Sequence, residues 1–180
     1  EHHKKMAKVF DDIAEGKTKR VIVNMAPRHT KSEFASHYFP AYLLGKKPDL
    51  KIIQATHTAD LAVNFGRKIR DLIDSEEYQE LFPETSLKAD SKSAGKWNTS
   101  KGGEYFAAGV GGALAGRGAD LFIIDDPHSE QDAMSEKALD DTYEWFMTGP
   151  RQRLQPGGAI IIVMTRWSKR DLTGKLIKKM

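Results

Sequence analysis

Residues 21–32 have the sequence Val-Ile-Val-Asn-Met-Ala-Pro-Arg-His-Thr-Lys-Ser, in which an apolar run is followed at once by a polar segment ending in lysine and serine. Residues 121–126, Leu-Phe-Ile-Ile-Asp-Asp, form a second apolar run that ends in two adjacent carboxylates. Buried parallel strands are near-continuous apolar runs, and ligands of α/β proteins gather at the carboxyl ends of such strands. The two segments therefore predict an α/β fold with a phosphate-binding loop after one strand and metal-binding acids after another.

The polar segment departs from the Walker A pattern, which is GxxxxGK followed by Ser or Thr. Aligned on Lys31, the chain has Met25 and Thr30 where the glycines belong. Lys31 can still reach the β- and γ-phosphates of a nucleotide, and Ser32 can still bind magnesium. Because Thr30 is β-branched, we expect the loop to use backbone dihedrals that are open to non-glycine residues. The predicted nucleotide-binding residues are Pro27, Arg28, His29, Thr30, Lys31 and Ser32; an ordinary strand-to-helix turn capped by Ser32 is the alternative.

Asp125 and Asp126 point in different directions if they end a strand, because side chains alternate along a strand. Asp125 is predicted to bind Mg²⁺ together with Ser32. Asp126 occupies the position at which a glutamate usually polarises the attacking water, and its side chain is one methylene shorter. With the loop upstream, the pair favours ATP hydrolysis over the alternative of a simple Asp-Asp-Pro turn.

Two further residues are candidates for catalysis. Thr165 follows the apolar run Ala159–Met164, where it could sense the γ-phosphate or couple its loss to movement, or merely cap the next turn. Arg117 lies in the glycine-rich segment 109–118 and suits an arginine finger, acting in its own subunit or on a neighbour. Arg28 is a competing candidate for that role, and a solvated loop arginine is the alternative for Arg117.

Apolar periodicity predicts alternating strands and helices along the chain. The predicted strands are Arg20–Asn24, Ile52–Ile53, Glu104–Ala108 with Trp97 on its hairpin partner, and Ala159–Met164. The predicted helices lie around Met6–Ile13, after Ser32 with an interruption near Pro40, after a cap at Asp60, and over Ser129–Met147. A last helix is capped by Ser168, and its pattern still continues at Met180.

Composition sets the broad class of the protein. A chain of 180 residues with 39% hydrophobic composition can bury one substantial core, so a single domain is expected. There is no cysteine, which excludes disulfides and thiolate metal sites and favours a cytoplasmic setting. No apolar run approaches the roughly 20 residues that span a bilayer, so we expect a soluble protein without a membrane partner.

The net charge of +3 permits contact with a polyanion without requiring it. Basic residues that could touch a nucleic-acid backbone, or form a solvated face, are Arg67, Lys68, Arg70, Lys92, Lys96 and Lys101. The histidines are not expected to bind metal. His2 and His3 are interpreted as exposed terminal residues, and His29, His57 and His128 as polar neighbours.

The chain resembles one protein family over nearly its whole length. The specific parts of the resemblance are three motifs: Pro-Arg-His-Thr-Lys-Ser at 27–32, Gly-Arg-Gly-Ala-Asp-Leu-Phe-Ile-Ile-Asp-Asp-Pro at 116–127 and Met-Thr-Arg-Trp at 164–167. The chain resembles the ATPase domain of the large terminase subunit of tailed double-stranded DNA bacteriophages. The resemblance implies a P-loop NTPase of the additional-strand, catalytic-glutamate type (ASCE, RecA-like), with a mostly parallel central sheet flanked by helices. It also implies ATP and Mg²⁺ as cofactors, and a genome-packaging motor that moves viral DNA into a procapsid.

Residue roles and partners follow from the same resemblance. It implies phosphate and magnesium contacts from Lys31 and Ser32, magnesium binding by Asp125, a general base at Asp126, coupling by Thr165, and an Arg117 finger that reaches a neighbouring subunit. The implied partners are double-stranded DNA, a portal protein and a small terminase subunit. The chain would be a monomer in isolation and a ring when assembled, in the host bacterial cytoplasm.

Domain content is also an implication of the family. Such motors carry a C-terminal nuclease domain, so residues 1–180 are expected to be a single ATPase domain excised from a longer protein, without nuclease activity. Two other functions stay open: a helicase-like DNA-dependent ATPase, and an inactive P-loop scaffold that binds DNA or protein, since both expected glycines are missing.

Overall fold

The computed structural model describes residues 1–114 and 116–179, without the side chain of Lys92. Its centre is a seven-stranded sheet. The strands are β1 (Arg20–Asn24), β2 (Lys51–Thr56), β3 (Leu87–Ser93), β4 (Lys96–Thr99), β5 (Glu104–Gly109), β6 (Ala119–Asp125) and β7 (Leu154–Met164). Their order in the sheet is β1-β7-β6-β2-β5-β4-β3. The α-helices are α1 (His2–Ala14), α2 (Phe39–Lys46), α3 (Ala59–Ile73), α4 (Glu76–Leu81), α5 (Glu130–Ala133), α6 (Glu136–Thr148) and α7 (Leu172–Lys178), with a π-helical segment at Glu33–Tyr38 and a 3₁₀ turn at Pro150–Arg153.

Five of these strands are parallel. Strand β7 pairs with β1 on one side and β6 on the other, β6 pairs with β2, and β2 pairs with β5. Strands β4 and β3 complete the sheet as an antiparallel hairpin next to β5. The carboxyl ends of β1, β7, β6 and β2 consequently lie along one edge of the sheet. The predicted α/β class with a mostly parallel sheet flanked by helices is confirmed.

The apolar runs of β6 and β7 are buried on both faces of the sheet. Leu121 and Ile123 pack in the cluster that contains Phe10 of α1 and Phe39 of α2. Phe122 and Ile124 pack in the opposite cluster with helices α6 and α7. Because side chains alternate along the strand, Asp125 follows Leu121 and Ile123 toward the face that carries the π-helical segment.

Most predicted elements are present. The first helix, the strands at Arg20–Asn24, Ile52–Ile53 and Ala159–Met164, and the hairpin that pairs Trp97 with Tyr105 are all confirmed. Pro40 does not interrupt the helical run, which is continuous over residues 31–46. The π-helical segment Glu33–Tyr38 lies directly before it, and this widened turn accommodates a residue that cannot donate an amide hydrogen bond.

The predicted helix over Ser129–Met147 is wrong as a single element. Ser129 forms a capping box with Asp132 and starts the short helix α5, and Ser135 caps a new helix, α6. Two serines six residues apart therefore each satisfy the free amides of their own helix start.

Two predicted helix caps are also wrong. Thr58, not Asp60, caps α3 by accepting from the Leu61 amide. Asp171, not Ser168, caps α7 by accepting from the Gly174 amide. In both helices a neighbouring oxygen acceptor has the extended backbone that an N-cap needs. Met180, where the last helical pattern was predicted to continue, lies outside the described residues.

Candidate active site

A cleft of about 510 Å³ lies at the sheet edge where the parallel strands end. It is lined from four different strand ends by Pro27 and Lys31 after β1, His57 after β2, Asp126 and His128 after β6, and Thr165 and Trp167 after β7. The polar residues singled out at the ends of β1, β6 and β7 are thus brought together, as the parallel topology requires.

Asp125 is buried at the end of β6, with 2% of its surface exposed. Its Oδ1 accepts a hydrogen bond from Ser32 Oγ at 3.0 Å, and its Oδ2 accepts one from Ser36 Oγ at 2.7 Å. Burial raises the pKa of the Asp125 carboxyl to about 6, against the lowering effect of the Ser36 hydrogen bond. Asp125 and Ser32 thus place a carboxylate oxygen and a hydroxyl oxygen side by side, which are the two protein ligands predicted for a magnesium site.

Ser36 was not identified from the sequence. It lies four residues after Ser32, within the π-helical segment, and is completely buried. The signal that could have found it is a second hydroxyl one helical turn beyond the Lys-Ser pair, on the same side as the acidic strand end. Single-turn π-bulges inside helices are frequent at functional sites.

The Ser32 and Asp125 oxygens fit a magnesium ion. Adjacent ligands of an octahedral Mg²⁺ with bonds near 2.1 Å are about 3 Å apart, and these two oxygens are 3.0 Å apart. Mg²⁺ is usually held by one or two carboxylates together with substrate phosphates rather than by a complete protein cage. Within residues 1–114 and 116–179 there is no cluster of three or more His, Cys, Asp or Glu side chains that could hold a metal alone.

Asp126 is the centre of the contacts between the loops. Its Oδ2 lies 2.8 Å from Lys31 Nζ, and its Oδ1 accepts a hydrogen bond from the Thr165 amide at 2.9 Å. Its carbonyl oxygen lies 3.3 Å from Nδ1 of His57. The predicted phosphate-binding lysine, the predicted base and the predicted coupling residue are therefore in direct contact.

Thr165 bridges the two predicted nucleotide loops. Its amide contacts Asp126, while its hydroxyl donates to the carbonyl oxygen of Met25 at 3.3 Å. A displacement of Asp126 would therefore change the hydrogen bonds of Thr165, which connect the end of β7 to the start of the phosphate loop.

The backbone of the phosphate loop contradicts one expectation. Arg28 and Thr30 have φ values of 64° and 59°, in the left-handed region, and Asp126 has a φ of 40°. The loop therefore uses dihedrals that favour glycine, although it has no glycine at these positions. In the described residues these are the non-glycine positions with positive φ, and all three lie at the candidate site. Such strain persists only where surrounding contacts enforce it.

The first turn of α1 supplies contacts to the strained loop that the sequence did not suggest. His3 Nε2 lies 2.5 Å from Thr30 Oγ1, and the His3 ring stacks on Phe34 with centroids 4.9 Å apart. Thr30 also donates to the carbonyl oxygen of His29 at 2.6 Å. His2 is exposed, as predicted, whereas His3 is only half-exposed because of these contacts.

Arg117 lies at the opposite end of the sheet from the cleft. It precedes Ala119, the first residue of β6, whereas Asp125 is the last residue of that strand. Six residues of extended strand span about 20 Å. Arg117 Nη1 pairs with Glu104 Oε1 at 2.9 Å, and its guanidinium lies 3.8 Å from the centroid of the Phe106 ring. In this placement Arg117 does not reach the cleft of its own subunit, and a contact with a neighbouring subunit stays a prediction.

Several of the basic residues considered for nucleic-acid binding have acidic partners. Lys68 pairs with Glu33 at 2.6 Å and Lys101 with Glu84 at 3.5 Å. Arg70 pairs with its neighbour Asp71 at 2.8 Å. These contacts favour a solvated, charge-paired face. The side chain of Lys92 and the whole of Ala115, in the glycine-rich segment, lie outside the described residues.

Comparison with known proteins gave no family assignment. No family model matches the chain, and no curated protein is significantly similar to it in sequence. In the described part of the chain, no helix combines the length and apolar character that crossing a bilayer requires. The function is therefore inferred from the site itself.

Proposed function

We propose that the chain is a magnesium-dependent ATPase of the P-loop type. The observation that carries the proposal is the meeting of Lys31, Asp126 and Thr165 beside a buried Asp125–Ser32 pair at the carboxyl edge of a parallel sheet. Phosphoryl transfer to water needs a cation on the phosphates, a metal bridging them and a residue that orients the water. Each of these needs has a candidate here.

The residues have separate tasks in this proposal. Lys31 leaves Asp126 and contacts the β- and γ-phosphates, so that Oδ2 of Asp126 becomes free to accept a proton from water. Oδ1 of Asp126 stays on the Thr165 amide, which holds the carboxylate in place. Ser32 and Asp125 would hold Mg²⁺, which neutralises developing charge on the phosphate oxygens.

The strand order supports the additional-strand type of P-loop fold. Strand β7, which is followed by Thr165, is inserted between β1, which leads into the phosphate loop, and β6, which ends at Asp125 and is followed by Asp126. The loop after β1 and the loop after β6 are therefore separated by one strand, β7. A residue that follows β7 can contact both loops, as Thr165 does.

We further propose that hydrolysis drives movement of double-stranded DNA, as a packaging motor assembled in a ring with a portal protein and a small terminase subunit. The three motifs at 27–32, 116–127 and 164–167 support this assignment. Contact between the hydrolytic Asp126 and Thr165 supports coupling, since the end of β7 is bonded to the residue that would change during hydrolysis. A helicase-like DNA-dependent ATPase would use the same contacts.

The test is phosphate release by the purified chain with ATP and Mg²⁺, alone and with portal protein and duplex DNA. Lys31→Ala and Asp125→Ala are each expected to reduce turnover at least 100-fold, because they remove the phosphate cation and the metal ligand. Lys17→Ala and Asp90→Ala, exposed residues of the same types outside the cleft, are the matched controls.

Two results would contradict the proposal. Absence of hydrolysis by the parent chain under assembled conditions would favour the inactive scaffold. Stimulation by single-stranded DNA without any requirement for portal protein would favour the helicase-like ATPase over the packaging motor.

A further inference from the structure

His128 is a buried histidine, two residues after Asp126, with 2% of its surface exposed. Its Nε2 accepts a hydrogen bond from the Leu172 amide, the first residue of α7, at 3.0 Å. Because a backbone amide can only donate, Nε2 must be unprotonated, and in the neutral ring the proton is then on Nδ1. The contact with α7 thus fixes the tautomer of the ring.

The Nδ1–H donor has no partner among the described residues. Buried polar groups in native proteins are nearly always hydrogen-bonded, so an unpaired donor at such a position needs an explanation. Burial lowers the pKa of the His128 imidazole, which keeps the ring neutral and the donor in place.

The two carboxylates that act electrostatically on His128, those of Asp132 and Asp171, already accept hydrogen bonds. Asp132 Oδ2 accepts from the Ser129 amide at 2.9 Å and from the Ser129 hydroxyl at 2.8 Å. Asp171 accepts from Arg166 and from the amides of Trp167, Ser168 and Gly174. No hydrogen bond joins the His128 Nδ1–H to either acid, so this donor remains available to an acceptor that enters the cleft.

His128 lines the same cleft as Lys31, Asp126 and Thr165. Within that cleft, the space beside Lys31 and Asp126 is where the terminal phosphate and the attacking water meet in the proposed reaction. Phosphate oxygens are strong acceptors, and a neutral donor can bind them without adding a charge that would compete with Lys31.

We infer that the Nδ1–H of His128 donates a hydrogen bond to the terminal phosphate group of bound ATP and so distinguishes the triphosphate from the diphosphate. The inference rests on the proposed ATPase function. It adds a direct connection between the terminal phosphate and α7, because the same ring accepts from the Leu172 amide.

Two substitutions separate the two nitrogen atoms. In His128→Gln, the amide oxygen can occupy the place of Nε2 and keep the Leu172 contact, while the donor at Nδ1 is lost. In His128→Asn, the amide nitrogen can occupy the place of Nδ1, while the Leu172 contact is lost. His37→Gln, a histidine bonded to Glu33 and outside the cleft lining, is the matched control.

The measurement is the dissociation constant of a hydrolysis-resistant ATP analogue and of ADP, both with Mg²⁺, together with the melting temperature. His128→Gln is expected to weaken analogue binding roughly 10-fold and to change ADP binding less than twofold, since a hydrogen bond to a charged group is lost only with the triphosphate. His128→Asn is expected to keep the parent's preference for the analogue and to melt at a lower temperature.

Equal affinity of parent and His128→Gln for the analogue, or equal weakening of analogue and ADP, overturns the inference and leaves the proposed function intact. Failure of the parent to bind either nucleotide overturns both. If the Gln variant does not fold, the Asn variant tests the inference instead. A His128→Asn protein that no longer prefers the ATP analogue over ADP would also overturn the inference.

Discussion

At the scale of one residue, Asp125 is a buried acid whose surroundings suit the proposed metal site. The carboxyl is almost completely buried, yet the hydroxyls of Ser32 and Ser36 donate to both of its oxygens. Burial disfavours the charged form, and the hydroxyls partly restore it. The charged carboxylate therefore has a free-energy cost that a bound divalent cation would remove.

The metal-free protein should lose stability through Asp125 as the pH rises. The folded pKa of about 6 is above the unfolded value of about 3.9, so the folded state binds the proton more tightly. The contribution of this group to the free energy of unfolding is largest below pH 4 and falls between pH 4 and 6, by on the order of 2 kcal/mol. Urea unfolding in the presence of a chelator, across pH 4 to 7, measures it.

Asp125→Asn is the control for that measurement, because it removes the titrating group at nearly constant volume. The stability of the parent relative to this variant should fall between pH 4 and 6 and be level above pH 7. A difference that stays constant over that range would show that the Asp125 pKa is not raised.

Thr30 is expected to be a strained residue whose replacement by glycine is tolerated. A non-glycine residue in the left-handed region costs about 1–2 kcal/mol, and Thr30 has a φ of 59°. Thr30→Gly removes that cost but loses the His3 contact, so its stability should equal or exceed that of the parent. Thr30→Val keeps the shape and the strain without the hydroxyl, and should be less stable than Thr30→Gly by about 1–2 kcal/mol. Thermal unfolding of the two variants measures this difference in stability. A Val variant more stable than the Gly variant would show that the loop relaxes to another conformation.

At the scale of elements, the π-helical segment and α3 each have one position that the sheet constrains. The π-helical turn brings Ser36 to Asp125, which a Lys-Ser motif alone does not indicate. In α3, Gly66 lies where the helix crosses the sheet, and its carbonyl oxygen accepts a hydrogen bond from Trp97 Nε1 at 3.0 Å. Helix and sheet approach closely there because the glycine has no side chain.

Gly66→Ala should destabilise the protein although alanine is the better helix former. The added Cβ would overlap the Ala94 carbonyl oxygen and lie 2.6 Å from Tyr105 Cε1. Forcing α3 away from β5 should cost about 2 kcal/mol or more, which exceeds the roughly 1 kcal/mol gain in helix propensity. Asn64→Ala, on the exposed face of the same helix, should change the unfolding free energy by less than about 0.5 kcal/mol. An unchanged midpoint of denaturant unfolding for Gly66→Ala would contradict this packing.

At the scale of the whole molecule, the sheet separates the cleft from Arg117 by the length of β6. The cleft is at the carboxyl end of that strand, and the Arg117–Glu104 pair is at its amino end. In the proposed function, an Arg117 finger would therefore have to reach the cleft of another subunit.

Arg117→Ala should leave nucleotide binding by the isolated chain unchanged within twofold. At protein concentrations where the chain is monomeric, turnover should be equally unaffected. If Arg117 contacts the cleft of a neighbouring subunit, turnover should fall only when the subunits are assembled. The loss should be about 10³-fold or more, as for a lost arginine finger. Turnover measured over a dilution series checks both statements, with Glu104→Ala as the control that breaks the same ion pair without removing the arginine. A large loss of turnover in the monomer would contradict the separation seen in the fold.

Much of the fold and part of the site could be predicted from the sequence. The buried strands were found because their apolar runs are unbroken. Asp125 and Thr165 were singled out because each directly follows such a run, and Lys31 because it lies with Ser32 at the end of the polar segment after β1. Helix starts were less predictable: Asp60 and Ser168 are good capping residues, but Thr58 and Asp171 have the backbone position that a cap requires.

The sequence by itself determined the parallel sheet and the residues at its strand ends, because apolar periodicity and parallel pairing are properties of local segments and their order. Only the tertiary structure decided the rest. It inserted β7 between β1 and β6, hydrogen-bonded Thr165 to Asp126, brought Ser36 to Asp125, held Thr30 in a left-handed conformation beside His3, and paired Arg117 with Glu104. These features depend on distances between residues far apart in the chain, which packing fixes and local sequence patterns do not contain.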